Sequence, residues 1–147
     1  MDEIGEYRLE DQVGFLLRKA NQRHRAIFAR LVDPPVAPMQ FAALATLAEH
    51  GPLSQNLLGR LAAMDSATIF GVVQRLREAG LVSVRNNPDD SRQTIVELTA
   101  EGWDTVSVAI PSAIRVTDAT LEGLDDRQRA RAVDLLTRLS EAEAQRA

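Results

Sequence analysis

The residues best suited to binding chemistry in this sequence are polar and basic side chains between Ser54 and Gln93. Arg92 directly follows Asn-Asn-Pro-Asp-Asp-Ser, a run of turn-forming residues that indicates the tip of a hairpin. A guanidinium exposed there can enter a narrow minor groove of DNA, where the negative potential is strongest. Asp90 can accept a hydrogen bond from Arg92 and hold its guanidinium in place. A salt bridge within the hairpin, with no contact to DNA, is the alternative interpretation of this pair.

The stretch SATIFGVVQRLREAG, which begins at Ser66, has the spacing of an amphipathic helix. Its apolar positions share one face and are predicted to lie in the core: Ile69, Val72, Val73 and Leu76. The other face carries groups that can contact base edges, phosphates or a thymine methyl group. These residues are Ser66, Thr68, Phe70, Gln74 and Arg75. We predict that this helix enters the major groove; a helix that only fills the core is the alternative.

Four further residues flank these two candidates. Ser54 and Gln55 begin a short predicted helix, where backbone N–H groups and side chains can bind phosphate, although Ser54 also suits a plain N-cap. Arg85 and Gln93 lie on the predicted hairpin and can reach phosphates. Solvated side chains at the ends of strands are the equally weighted alternative for both.

Motifs of enzymes and metal sites are absent from the sequence. It has no cysteine and only two histidines, which excludes disulfides and thiolate zinc sites and disfavours a multi-histidine metal site. Neither GxGxxG nor GxxxxGK[ST] occurs, so no phosphate-binding loop of those kinds is expected. The Asp-Asp pairs at 89–90 and 125–126 are interpreted as turn and helix-cap acids. We therefore expect a protein that is not an enzyme and needs no cofactor.

The elements that position these residues can be read from periodicity and from helix-breaking residues. Residues 8–31 have helical spacing of apolar positions, and Asp-Pro-Pro-Val-Ala-Pro ends that helix. Pro38 suits the first turn of a second helix, which Gly51-Pro52 stops. Ser54 can cap a third helix over 55–62. Asp65 or Ser66 can cap the fourth, and Gly80 suits its left-handed C′ position.

The second half of the chain is predicted to contain a hairpin and two more helices. The strands are 81–85 and 93–98, joined by the turn Asn-Asn-Pro-Asp-Asp, with apolar alternation in the second strand at Ile95 and, as a further candidate, Leu98. Thr99 can cap a helix over 100–122, which Pro111 is expected to kink or split. Asp125 or Asp126 opens the last helix. Two short helices joined by a tight turn and followed by a hairpin form a winged helix-turn-helix.

Composition gives weaker guidance on partners and location. The net charge of −4 argues mildly against nucleic acid, but residues 51–100 balance five arginines against five acidic residues, and the acidic excess lies outside them. No stretch approaches about 20 consecutive apolar residues, so no membrane span is expected. The N-terminus is acidic and lacks the apolar region of a signal peptide, which favours the cytoplasm.

The order and spacing of these motifs resemble the MarR (multiple antibiotic resistance) family of regulators. The most specific match is Asp90-Ser91-Arg92 followed by Leu98-Thr99 and Gly102, which is similar to the family's wing signature of Asp-x-Arg, a strand and Leu-Thr-x-x-Gly. Arg-Leu-Arg-Glu-Ala-Gly-Leu-Val at 75–82 matches the end of the recognition helix and the first strand. The sequence departs from the family at Phe70 and Gly71, where small polar and basic residues are more usual.

The resemblance implies a mainly α fold with a small β-hairpin wing and a homodimer that binds a palindromic operator. Residues 38–99 would form the winged helix-turn-helix, and the helices over 8–31 and 100–146 would form the dimerisation region. Family members commonly repress transcription and release DNA when a small aromatic acid or phenol binds. That layout places four residues of the first helix beside the effector pocket: Phe15, Arg18, His24 and Phe28. Ordinary core or interface roles are the alternative for each.

Two rival functions remain open from the sequence. A winged-helix module that binds protein rather than DNA fits the acidic balance and the apolar start of the fourth helix. A DNA-binding regulator without a small-molecule effector fits the same motifs. The apolar faces of the end helices are too extensive for one small domain to cover, which favours a dimer in either case.

Overall fold

The computed structural model describes residues 5–144 and consists of helices packed around a small antiparallel sheet. The helices are α1 (Val13–Leu31), α2 (Pro38–His50), α3 (Gln55–Leu61), α4 (Ser66–Glu78), α5 (Ala100–Thr120) and α6 (Asp126–Ala144). The strands are β1 (Leu53–Ser54), β2 (Val82–Asn87) and β3 (Asp90–Leu98), in the spatial order β1-β3-β2. The predicted fold class, mainly α with a hairpin wing, is confirmed. Residues 145 and 146 of the predicted dimerisation region lie outside the described residues.

The first helix begins later than predicted. A 3-10 turn occupies Leu9–Asp11, and Gln12 has an extended backbone that separates this turn from α1. The side chain of Gln12 donates to the Arg8 carbonyl oxygen at 3.1 Å. The periodic apolar residues from Leu9 onward therefore belong to two elements rather than to one continuous helix.

Helices α3 and α4 form the predicted helix-turn-helix, and both are capped as expected. The Ser54 hydroxyl accepts a hydrogen bond from the Leu57 N–H at 3.2 Å, and the Asp65 carboxylate accepts one from the Thr68 N–H at 2.7 Å. Asp65, not Ser66, is thus the cap of α4. Gly59 lets the helices approach closely, since a Cβ there would lie 3.0 Å from a methyl carbon of Ile69. Gly80 ends the unit at φ +76°, the left-handed conformation predicted for it.

The wing is a longer hairpin with a shorter turn than predicted. Its strands extend to Asn87 and Asp90, which leaves only two turn residues, Pro88 and Asp89. The apolar alternation predicted at Ile95 and Leu98 misses the most buried position of β3: Val96 is fully buried in the core, whereas Ile95 and Leu98 are only partly buried. Val96 also pairs with Leu53 of β1, a two-residue strand too short to show any periodicity in the sequence.

Helix α5 is one continuous helix, so the expected split at Pro111 does not occur. Proline removes one backbone donor and disturbs the preceding turn. Ala109, Ser112 and Val116 are buried on both sides of Pro111, and this packing holds the helix together. At its start, Thr99 caps the helix as predicted. A Cβ on Gly102 would lie 2.0 Å from the Leu81 carbonyl oxygen, so only glycine fits there.

The buried residues form two clusters, which Phe41 connects. The larger cluster lies inside the winged helix-turn-helix and includes the four α4 residues predicted for the core, each no more than 3% exposed. The smaller lies between α1 and α5 and is built on Ile27, Phe28 and Val116. None of the described helices combines the length and apolar character needed to cross a membrane.

Much of the apolar surface of the end helices is uncovered in the single chain. Ten such residues are between 44% and 63% exposed: Leu9, Val13, Leu16, Leu17, Val108, Ile114, Val133, Leu135, Leu136 and Leu139. They include the α6 residues predicted to lie in a dimer interface. An apolar surface of this extent on a small protein marks an interaction site.

Candidate DNA-binding surface and ligand pocket

The outer face of α4 presents the predicted contact residues to solvent. Ser66, Phe70, Gln74 and Arg75 are exposed, and Thr68 is partly buried with its N–H bonded to the Asp65 carboxylate. Hydrogen bonding by the Thr68 side chain and by its backbone N–H lowers the pKa of the Asp65 carboxyl below its ordinary value. The N-terminal cap of α4 is therefore ionised at neutral pH, which complements the positive end of the helix.

The tip of the wing holds Arg92 outward. Its side chain is 90% exposed, and its Nε lies 3.2 Å from an Asp90 carboxylate oxygen. The same oxygen accepts a hydrogen bond from the backbone N–H of Arg92 at 3.0 Å, so Asp90 holds both the backbone and the guanidinium of Arg92. The predicted pairing of Asp90 with Arg92 is present. An exposed ion pair of this kind contributes little to stability, which leaves the guanidinium available to a phosphate or a groove.

A furrow runs between α4, the start of α3 and the wing, and it brings several predicted residues together. One part, of about 190 Å³, is lined by Phe70, Gln74 and Arg77 of α4 together with Gln55 and Thr94. The adjoining part, of about 130 Å³, is lined by Ser54, Gln55, Arg92 and Gln93, again with Thr94. Six of the predicted DNA-binding residues therefore share one continuous surface.

The other five predicted residues lie outside the furrow. Ser66, Thr68 and Arg75 are on α4, and Asp90 supports Arg92. Arg85 points to an acid, since its Nε lies 3.4 Å from a Glu97 carboxylate oxygen. Arg85 is consequently a weaker candidate for phosphate contact than Arg92, whose partner is within its own turn.

The furrow also contains residues that were not predicted to contact DNA. Asn56, Arg77 and Thr94 line it. A signal for two of them was present: Thr94 follows Arg92 at the two-residue period of a strand face, and Arg77 follows Phe70 at the seven-residue period of a helix face. Among the described residues, no carboxylate lies within salt-bridge distance of Arg77, so its charge faces the furrow unpaired.

A pocket of about 470 Å³ lies between α1, the start of α2 and α5. It is lined by His24 and Phe28 of α1, by Phe41 of α2 and by Ile110 and Thr117 of α5, among others. The Phe28 and Phe41 rings meet edge to face, with centroids 6.0 Å apart. Its size suits a small ligand, and its lining is mostly apolar with a polar end.

Hydrogen bonds fix the polar end of this pocket. His24 Nδ1 lies 2.9 Å from the Thr120 hydroxyl oxygen, and that hydroxyl donates to the Val116 carbonyl at 2.8 Å. Since the hydroxyl has only one proton, His24 Nδ1–H is the donor and a neutral ring keeps Nε2 as an acceptor. Arg23 donates to the Thr120 and Ala119 carbonyls at 2.7 and 3.1 Å, which ties α1 to the end of α5.

Two of the four predicted ligand-binding residues line this pocket and two do not. His24 and Phe28 are in its wall. Phe15 and Arg18 are nearer the start of α1, where the guanidinium carbon of Arg18 lies 5.7 Å from the centre of the Phe15 ring. A larger groove of about 660 Å³ also borders Phe28, but its walls are α1, Val32 and residues 35–40, without any residue of α5.

Comparison with known proteins identifies similar transcriptional regulators, both by a family model and by a related protein. The model of the MarR family matches residues 37–94. The HTH-type transcriptional repressor NicR of Pseudomonas putida is 39% identical over 138 residues, which are 93% of this chain and 87% of NicR.

Solved structures agree in fold and in extent. A probable transcriptional regulator from Pseudomonas aeruginosa is 43% identical, covers 90% of this chain and 99% of its own, and superposes with a TM-score of 0.87. BpsR of Bordetella bronchiseptica, whose DNA binding is regulated by 6-hydroxynicotinic acid, is 37% identical with a TM-score of 0.88. That match covers 92% of this chain and 98% of the BpsR chain. These relatives are regulators of transcription rather than enzymes.

Proposed function

This chain belongs to the MarR family of winged helix-turn-helix transcriptional regulators, and we propose that it is a repressor released from its operator by a small aromatic acid. Regulators of this family bind operator DNA as dimers. One observation carries the proposal: the pocket beside His24 is walled by helices of both the dimerisation region and the DNA-binding region. A ligand there contacts both.

The proposed DNA-binding surface is the outer face of α4 together with the wing. In a helix-turn-helix, the second helix enters the major groove, and two copies reach successive grooves about 34 Å apart. The furrow leads from Phe70 and Gln74 to Arg92. A sugar-phosphate backbone of the DNA that crosses the furrow would therefore lie between α4 and the wing. Arg92 would occupy the adjacent minor groove, and Ser54 and Gln55 would bind phosphate. Ser66, Thr68 and Arg75 would complete the contacts along α4, and Arg85 and Gln93 would add contacts from the strands of the wing.

The proposed dimerisation region is formed by residues 8–31 and 100–146. Its support is the uncovered apolar surface of α1, α5 and α6, where Leu136 is 52% exposed and Leu139 57%. Each buried leucine side chain contributes about 1.5–3 kcal/mol, so several of them stabilise a dimer strongly. The second protomer is the partner that such a surface fits, because a symmetric dimer covers the same patch on both chains.

The chemistry of the pocket supports a flat ring bearing a hydrogen-bonding group. Phe28, Phe41 and Ile110 provide apolar and aromatic walls. His24 provides an acceptor at Nε2 when neutral and a second donor when protonated. A hydroxylated aromatic acid meets both requirements, and 6-hydroxynicotinic acid, which regulates BpsR, is the compound we propose to test first.

The proposed mechanism is a population shift. Arg23 and the His24–Thr120 bond hold α1 against α5, whereas α2 starts the DNA-binding region on the far wall of the pocket. A ligand that binds better when α2 stands away from α1 favours dimers whose recognition helices have the wrong spacing. Coupling of about 1–3 kcal/mol would change operator affinity by about 5–150-fold.

The test is fluorescence anisotropy with the DNA upstream of the protein's own gene, against scrambled DNA at two salt concentrations. We expect selective binding that weakens steeply with salt, and an operator Kd that rises at least about fivefold with saturating 6-hydroxynicotinic acid. Benzoate and nicotinic acid extend the series to rings without the hydroxyl group.

The histidines provide a matched pair of variants. His24→Ala should bind the operator like the wild type but require more ligand for release. His50→Ala, at the end of α2 and away from the pocket, should behave as the wild type throughout. Equal ligand response of the two variants would contradict the pocket assignment. Binding that does not distinguish operator from scrambled DNA would contradict the regulator itself.

A further inference from the structure

An exposed aromatic ring stands on the face of α4 that we propose enters DNA. Phe70 is 54% exposed, and within residues 38–99, all of which the structure describes, it is the only exposed aromatic side chain. Single exposed apolar residues are ordinary on protein surfaces. Phe70, however, lies on the face of the recognition helix that contacts the DNA bases in a helix-turn-helix protein, so its side chain would meet a base there.

The neighbours of Phe70 leave its ring as the largest group on that face. Ser66 and Gln74 lie one turn before and one turn after it on the same side of α4. Ala67 and Gly71 lie beside it and are small, which lets the helix approach the base edges closely. Because the N-terminal residues of a recognition helix contact the bases, the fifth residue of α4 is well placed.

Packing does not explain why position 70 is aromatic. The core side of α4 is already filled by Ile69 and Leu76, each 1% exposed. Phe70 only borders the furrow, which Val73 and Val84 also line. More than half of the residue remains exposed to water, so a partner that covers it would gain apolar contact.

Among the base edges of the major groove, the apolar partner is the C5-methyl group of thymine. The rest of the groove edge consists of hydrogen-bond donors and acceptors, which a phenyl ring cannot satisfy. Gln74, one turn further along, has an amide that can bond to N6 and N7 of adenine. An A·T-containing half-site therefore matches two successive residues of this face.

We propose that Phe70 packs against a thymine methyl group and so imposes a thymine at one position of each operator half-site. The inference rests on the proposed function, since it assigns one determinant of sequence selectivity to the helix that would read the operator.

The experiment replaces thymine by deoxyuridine, which removes only the methyl group. An operator is first selected from random DNA by the wild-type protein, and each thymine of a half-site is then replaced in turn. At one position we expect binding to weaken about fourfold, the loss for one buried methyl group, and about fifteenfold when both half-sites are changed. In Phe70→Ala the same replacement should have no effect, and Phe70→Leu should keep part of it.

Met39→Ala is the control, because Met39 is a similarly exposed apolar residue, at 55%, on α2 outside the furrow. It should keep the full deoxyuridine penalty. Selective operator binding with no penalty at any thymine, or with a penalty that persists in Phe70→Ala, would overturn the inference while leaving the regulator intact. Failure of the wild type to select any sequence would instead overturn the proposed function and this inference with it.

Discussion

The middle of the chain buries its apolar residues within one protomer, whereas the two ends leave many of theirs on the surface. In α2, Leu44 and Leu47 are no more than 1% exposed, and they pack with Leu58 of α3 around one core. In α6, by contrast, Leu136 and Leu139 are more than half exposed. Both regions have amphipathic helices, but only one supplies its own partner surface. The first region folds around its own core, and we propose that the second forms half of a dimer interface.

The most direct test of this difference compares alanine substitutions at two leucines of similar exposure, one in each region. Leu136 on α6 is 52% exposed and Leu61 on α3 is 47% exposed. A dimer carries Leu136→Ala twice, so we expect a loss of about 4 kcal/mol and a rise of about a thousandfold in the dimer dissociation constant. Leu61→Ala should leave that constant unchanged. Sedimentation equilibrium measures both, and equal constants for the two variants would erase the distinction between the regions.

A substitution in the core of the winged helix-turn-helix, residues 38–99, is expected to have the next largest effect. Leu44 is fully buried, so Leu44→Ala removes buried atoms and leaves a cavity at a cost of about 3 kcal/mol in the free energy of unfolding. We expect that loss at every protein concentration, because no second protomer contributes to this core. Urea unfolding at several concentrations tests it. A loss that grows on dilution would mean that the middle of the chain also depends on the dimer.

Two paired arginines compare the regions by charge. Arg92 is paired with Asp90 at the wing, and Arg138 is paired with Asp134 on α6 at 3.1 Å. Arg92→Ala should weaken operator binding about tenfold and reduce the salt dependence by about one ion per protomer. Arg138→Ala should change neither quantity. Operator titrations over a range of salt concentrations measure both, and an Arg92→Ala protein with wild-type affinity would remove the wing from DNA recognition.

The smallest effect concerns the cap of α4. The Thr68 hydrogen bonds lower the pKa of Asp65 from its ordinary 3.8. A group with a lowered pKa in the folded state binds more protons when unfolded, so its stabilising contribution is present above about pH 4 and disappears as the pH falls through the folded pKa. The advantage of wild type over Asp65→Asn should therefore be constant near neutral pH and shrink below pH 4. Thermal unfolding from pH 3 to pH 7 tests this, and an advantage that grows on acidification would contradict it.

The winged helix-turn-helix was largely predictable because its sequence signals, helix caps and apolar spacing, are local. Ser54 and Thr99 cap the helices predicted for them, and the spacing of Ile69, Val72, Val73 and Leu76 identified the buried face of α4. Each of these signals depends on residues within one or two turns. The wing signature around Arg92 likewise lies within a single hairpin.

The errors lie where distant contacts override local rules. Pro111 predicted a kink or a split, but the split does not occur because buried neighbours on both sides hold α5 continuous against α1. Strand β1 has only two residues and exists because it pairs with β3. Thr94 joins the furrow only through the fold of the sheet beside α3. The pocket is formed where three helices meet, which the sequence does not show. The sequence therefore predicted His24 and Phe28 as pocket residues but not Phe41, which also lines the pocket.

We propose that a ligand held between the dimerisation region and the DNA-binding region sets the spacing of the recognition helices. The chain has no cysteine, so a single Glu78→Cys substitution at the exposed end of α4 places one spin label in each protomer. Double electron–electron resonance then reports the separation of the two α4 helices in the dimer. We predict that 6-hydroxynicotinic acid shifts the distance distribution away from that of the operator complex, and that His24→Ala abolishes the shift. An unchanged distribution at ligand concentrations that release the operator would contradict the account.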